Sequence, residues 1–483
     1  MIPLKRLITT LVLFCIVLNA RSQSIYSYAQ LSKTFYARQK DSLKKNWDCP
    51  TLYKEKATQK EYRTIWDDRT NFIVNAIDDQ NYVYEPGVFN YVQGIINDIV
   101  NGNPQLFTDK PFLLVDRSSS ANAYAVGGNI IAVNLGLIDF AESREEIALA
   151  IAHEMSHNIL HHVDNMMKER AEWLSSDEYK KSINAVLDSK YERLTRLKKL
   201  LEGYSFNRSR HQRYHESDAD SLAIVMLKNS KIPFEAGFFL RLDSTDLQYK
   251  QPLLHPLREY FEPYGLPFEQ AWMQKKSKGL STRNYNFKDT TTLDDSLKTH
   301  PDCPQRYKNT LALSDDNATL TPIPAGIKQK VAKMVIWNMY DNMGLTPCLY
   351  RILQQKDKGV NDQWYDFMLH NIFAGLEYND RQLHRFIAIG ITQKEYISTD
   401  YYAMQNMLEQ MPRESLAQYC TVLQNANFWG NRPADEKAMK IFLYALAINP
   451  DDTDKVKWNA ASDFESNNAA SMYCEFADHF KKK

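Results

Sequence analysis

The segment "EEIALAIAHEMSHNILHH", Glu145 to His162, constrains the folding of this chain more than any other stretch. Its first half, "IALAIA", is apolar on every side and rich in alanine, so a helix formed here is buried and closely packed by its neighbours. That same helix carries His153, Glu154 and His157. Two imidazoles and a carboxylate left without a partner in a core cost several kcal/mol. The fold must therefore bring something to meet them. Ser143 and Glu146 form an S-x-x-E capping box that fixes the start of the helix, and the pattern predicts that it runs to about His162.

His153, Glu154 and His157 read as H-E-x-x-H. The spacing of four stacks the two imidazoles on one side of the helix, where their nitrogens can grip one zinc ion. Glu154 projects beside that metal, placed to take a proton from an attacking water. A catalytic zinc needs a third protein ligand and one open position. The extended motif H-E-x-x-H-x-x-G-x-x-H is excluded, because Leu160 stands where glycine is required and Val163 where histidine is required. On an uninterrupted helix His161 and His162 lie too far along the axis to close a tetrahedron, so they read as accessory or surface residues. A better source is "YHESDADSLAIVML", a second helix over Gln212 to Lys228. Glu216 and Asp220 share one face there with Ala219 and Ala223, whose small side chains permit close approach to the buried helix. Glu216 can complete the zinc site, with His215 as a rival ligand. Asp220 is placed to accept the free ring N–H of a ligating histidine. Asp218 reads as solvent-facing.

The rest of the chain bounds these readings. At 483 residues it exceeds the roughly 250 at which single cores stop growing, so two or three domains are expected. Lysine plus arginine equals aspartate plus glutamate at 59 each, which leaves no net field to hold nucleic acid. The start, "MIPLKRLITTLVLFCIVLNARSQS", has the layout of an export signal over residues 1–22: basic residues, an apolar run, then Ala20 and Ser22. The run is short of the about 20 residues a bilayer span needs, and no other candidate span follows. The mature chain is thus expected to be exported, periplasmic or secreted, without an integral membrane span. Phe14, bulky before Cys15, argues against a lipid anchor. The remaining five cysteines lack C-x-x-C spacing and form no metal cluster.

Helical periodicity runs from Gln23 to Phe107. Short strands follow at Phe112 to Asp116, Ala123 to Val126 and Ile130 to Val133, with Gly127 and Gly128 as the turn, and these read as a small β-meander. Residues 163–214 read as a charged, solvated helical insertion. A loop-rich region, about 251–316, holds "KTHPDCPQR". After a boundary near Asp316 the chain reads as all-α, and "ADEKAMKIFLYALAINPDD" looks like part of a tetratricopeptide repeat, although no period near 34 residues is evident.

Taken together, "HEMSH", "ESDAD", "THPDCPQR" and "NAYAVGGNIIAVNLGLI" resemble metallopeptidase family forty-eight, the family of the CAAX prenyl protease and the heat-shock protease HtpX, in the family's order and over roughly Phe112 to Leu311. The lack of downstream spans makes the likeness nearest to its soluble periplasmic, BepA-like branch. The resemblance implies a mostly helical α+β fold with a zincin-type (gluzincin) protease domain over 23–315 and a helical domain over 316–483. It implies one zinc ion per chain on His153, His157 and Glu216, with Glu154 as the catalytic carboxylate and Asp220 behind the ligands. His300, in the family's H-P segment, would stabilise an oxyanion or gate the metal; it also reads as an ordinary loop histidine. The strand at Asn122 and Ala123 resembles the family's edge strand, whose backbone pairs with an extended peptide. The implied activity is endopeptidase cleavage of unfolded or misassembled envelope proteins, with the C-terminal helices as a surface for substrate or partner. A different class of reading is a non-catalytic helical adaptor or chaperone with a latent metal site.

Overall fold

The structure is a computed structural model that describes residues 28–243, 249–274, 303–315, 318–392, 394–448 and 454–481, with the side chains of 28–31, 46, 199–214, 395 and 448 left aside. The signal-like residues 1–22 and His300 lie outside the described residues. By contact the chain forms two units, and neither is a continuous stretch. One gathers the described residues of Leu31–Thr245 and Asn286–Val335, the other those of Met1–Gln30, Asp246–Tyr285 and Ile336–Lys483.

The first unit begins with α1 (Tyr28–Asn46), α2 (Lys56–Asp78) and α3 (Pro86–Gly102), which fill the stretch of expected helical periodicity. In α3, Pro86 occupies the first turn, where no donor is lost. The Glu85 carboxylate accepts the Val88 N–H at 2.7 Å, and Val88, Val92, Ile95, Ile96 and Ile99 form the buried stripe. Three strands follow, β1 (Phe112–Asp116), β2 (Ala123–Gly127) and β3 (Ile130–Asn134).

The strands form a sheet of order β1-β3-β2, not a meander: β3 lies between the other two, antiparallel to β2 and parallel to β1. Alternation along a strand reveals its faces but not its neighbours. The connection from Arg117 to Asn122 carries the chain past the place that β3 later fills, and all five residues of β3 are buried. The hairpin turn lies one residue later than expected, at Gly128 and Asn129, both near φ +60°. Gly127, with φ 83°, belongs to a bulge in β2. A side chain at 128 would lie 2.5 Å from the Trp47 indole nitrogen.

After α4 (Leu135–Phe140), α5 (Arg144–Ile159) is the buried helix anticipated above. Ser143 Oγ accepts the Glu146 N–H at 3.2 Å, while Glu146 accepts the N–H of Glu142 at 2.6 Å, so the capping box closes one residue early. The helix does not reach His162. It ends at Leu160, His161 takes the left-handed conformation at φ 56°, and α6 (His162–Ser175) starts in a new direction.

Nor is the insertion wholly a solvated arm. Met167 and Ala171 of α6 are buried against Tyr62 and Trp66 of α2. The exposed charges belong mainly to α7 (Asp177–Leu187) and to the residues just after it. The helix expected from Gln212 is the second half of α8 (Arg193–Asn229), a continuous 37-residue helix packed along α5. Ala219 and Ala223 are fully buried. Shorter helices α9 (Gly237–Asp243) and α10 (Cys303–Thr310) follow, and α11 (Ala325–Asp341) contains the junction between Val335 and Ile336.

The second unit is helical. It contains α12 (Leu345–Asp357), α13 (Trp364–Arg381), α14 (Arg385–Ile389), α15 (Thr399–Gln410), α16 (Arg413–Gln424), α17 (Ala434–Ile448), α18 (Asp454–Asn468) and α19 (Cys474–Asp478). α13 is buried on nearly every side, with α16 and α17 packed against it. Among the described residues no helix is long and apolar enough to cross a membrane. Among the described residues no disulfide joins the five cysteines, and Cys303, Cys348 and Cys420 are buried.

Candidate metal centre

α5 and α8 meet with their functional faces inward. His153 and His157, one turn apart on α5, bring their Nε2 atoms to 3.0 Å. From α8, Glu216 reaches His153 Nε2 at 3.2 Å and His157 Nε2 at 3.6 Å. The structure thus gathers the three expected ligands into one group, and the two alanines that follow Glu216 on its helix face let the helices approach closely enough for it. His215, the rival ligand, stands aside: its ring stacks on His162 with centroids 4.2 Å apart.

Behind the ligands, the Asp220 carboxylate lies 2.9 Å from His153 Nδ1. Arg306 of α10 supports it through two bonds, Nε to Oδ2 at 2.8 Å and Nη2 to Oδ1 at 2.6 Å, with its guanidinium over the Phe239 ring. Burial alone would raise the carboxyl pKa values of Glu216 and Asp220, but His153 and Arg306 outweigh it and hold both low. Both are therefore ionised at neutral pH. Burial, with His153 alongside, pushes His157 far below the ordinary imidazole range, so its ring is neutral and has a lone pair to offer. On His153 burial works the same way, but the hydrogen bonds to Asp220 and Glu216 win and hold its pKa up.

Glu154 turns to the cleft beside this group. Burial pushes its carboxyl up to about 7, against the opposing influence of His153 and of the Ala125 N–H that hydrogen-bonds it. Asn122 and Ala123 line the same cleft. The Asn122 carbonyl accepts the Asn134 N–H across the sheet, so by two-residue alternation Ala123 and Ala125 turn their backbone groups to the outer edge of β2.

Two residues take a larger part than the sequence suggested. Arg306 was visible only as the arginine after an H-P pair, and its salt bridge needs the tertiary fold. His162 is buried and not incidental: its Nδ1 lies 2.9 Å from His157 Nδ1. His161 is exposed, as expected, and so is Asp218.

The donor set fits a zinc ion. Four-coordinate zinc with ligands at the usual distances separates neighbouring donor atoms by roughly 3.3 Å. The two imidazole nitrogens lie 3.0 Å apart, and the Glu216 carboxylate lies 3.2 Å from one through Oε2 and 3.6 Å from the other through Oε1, close to that value. Two imidazoles and a carboxylate leave one position open, which is the donor count of catalytic rather than structural zinc sites.

A mostly helical α+β domain in which one helix supplies H-E-x-x-H and a second supplies a carboxylate defines the metallopeptidase class. Residues 87–313, the stretch that holds His153, Glu154, His157, Glu216 and Asp220, match peptidase family M48. A curated relative, a Vibrio cholerae protein named as a beta-barrel assembly-enhancing protease, is 26% identical over 190 residues. The match spans 37% of this chain and 39% of the length of that relative.

Proposed function

We propose that the chain is an exported zinc endopeptidase. The observation that carries this reading is the set of three donor separations within one group, with Glu154 beside it in an open cleft. His153, His157 and Glu216 would hold one zinc ion. When bound, zinc supplies Lewis-acid polarisation of the scissile carbonyl and makes the attacking water more acidic. Glu154 takes the proton of that water and returns it to the leaving amine. Asp220, held by Arg306, keeps the His153 ring oriented. The outer edge of β2 at Ala123 and Ala125 pairs with an extended peptide, beside Asn122, whose own carbonyl is held within the sheet. His300 donates a hydrogen bond to the oxyanion or gates the cleft.

For substrates we infer unfolded or misassembled envelope proteins. The name of the Vibrio cholerae relative and the signal-like residues 1–22 support this class. The second unit exposes Leu383, Phe386, Ile387 and Ile391 close together in sequence. That apolar surface suits a recognition role for the C-terminal helices, and it also favours the adaptor reading. The two readings are separated by incubating the purified chain with casein, with and without a chelator, beside Glu154→Gln. The enzyme should cleave only with metal. Glu154→Gln should keep its zinc and lose activity about 100- to 10,000-fold. Zinc-loaded protein in which Glu154→Gln leaves the rate unchanged would exclude Glu154 as the base.

A further inference from the structure

We propose that His162 is a positioning residue for metal capture: it accepts the Nδ1–H of His157 and so turns the His157 Nε2 lone pair toward His153 and Glu216. The inference rests on the metal-centre reading above and concerns the second imidazole, which Asp220 does not reach among the contacts of the described residues.

The break in the helix makes the contact. Five residues of regular helix would set His162 about 140° around the axis from His157, with no route to its ring. The chain instead ends α5 at Leu160 and passes through His161 at φ 56°. A left-handed residue other than glycine costs roughly 1 kcal/mol, and such strain persists where the surroundings hold it. Here the outcome is that His162, first residue of α6, turns back to place Nδ1 at 2.9 Å from His157 Nδ1.

Only one hydrogen fits between the two Nδ1 atoms, and its owner decides what His157 can do. A neutral imidazole carries one N–H. Were the shared hydrogen bonded to His162, the proton of His157 would sit on Nε2, pointing at His153 and Glu216 and blocking ligation. With the hydrogen on His157 and His162 protonated at Nε2, the lone pair of His157 faces the ligand group. His153 is arranged in the same way, with Asp220 as acceptor. The plane of His162 is fixed by its stack on His215, at 4.2 Å between centroids and 12° between planes, and His215 adjoins Glu216 on α8. One side chain thereby ties the orientation of a ligand on α5 to the helix that delivers another.

The test uses the metal-stripped full chain, with Zn2+ titrated against a chromophoric chelator at neutral pH and casein hydrolysis measured in parallel. His162→Phe keeps a ring to stack on His215 but removes the acceptor; zinc affinity should fall about 10- to 100-fold. His162→Asn places an oxygen close to where Nδ1 stood and should bring affinity back to within about threefold of the unsubstituted chain. Melting of each metal-free variant reports folding separately from binding. Equal affinity of His162→Phe and the unsubstituted chain overturns the inference, as does a His162→Asn as weak as His162→Phe. An unsubstituted chain that takes up no zinc overturns the metal-centre reading itself, a distinguishable result.

Discussion

Asp220 is the residue on which most of the buried charge depends. It accepts from His153 and pairs through both oxygens with Arg306, and both partners of that pair are nearly inaccessible. Removing one member of a buried ion pair leaves the other uncompensated, so Asp220→Asn should destabilise the metal-free protein by about 3 kcal/mol, read as a lower urea midpoint. An apolar double replacement, Asp220→Leu with Arg306→Met, should recover most of that stability without recovering zinc affinity. A double variant that also binds zinc like the unsubstituted chain would remove Asp220 from the metal centre. Much of this neighbourhood is legible in sequence, because a spacing of four guarantees that Glu216 and Asp220 share a face whatever the helix packs against. The partners Arg306 and His162 are not legible. No spacing rule links Arg306 to α8, and no glycine or proline marks the helix break that brings His162 round.

At the scale of elements, the site depends on how closely α5 and α8 pack. Ala223 is fully buried on the side of α8 that carries Glu216 and Asp220. Ala223→Leu should cost about 1–3 kcal/mol through overpacking and should weaken zinc binding as the helices are forced apart. Val225, on the exposed face, is the control: Val225→Leu should leave stability within about 0.5 kcal/mol and zinc affinity unchanged. Calorimetric melting and the zinc titration together check both. The small residues announced this close approach, whereas the strand order did not follow from any pattern. β1, β2 and β3 are each legible as short apolar strands, but nothing along them announces that β3 pairs with β1 in parallel. The length of α8 was hidden for another reason: the polar run from Asn207 to Arg213 separates the leucines of its first half from the apolar residues of the second.

Across the whole molecule, the two units should answer acid differently, and His370 supplies a handle on the second. Its ring is buried on α13 beside Gln424, Asn371 and Trp429, and burial lowers its pKa to about 4. The folded state therefore refuses a proton that the unfolded chain accepts near pH 6.5. The stabilisation is fully present above that pH and is lost as pH falls toward 4, by about 3 kcal/mol in all. Unfolding followed at several pH values should show this acid limb, and His370→Gln should flatten it; an unchanged slope in that variant would assign the limb to other groups. A last consequence concerns the thiols. For a chain read as exported, the destination is oxidising, yet Cys303, Cys348 and Cys420 are enclosed, and burial raises the pKa of the latter two. Nascent protein must then finish folding before oxidants reach those sulfurs, and a slowly folding variant would emerge trapped by wrong cross-links rather than merely unfolded.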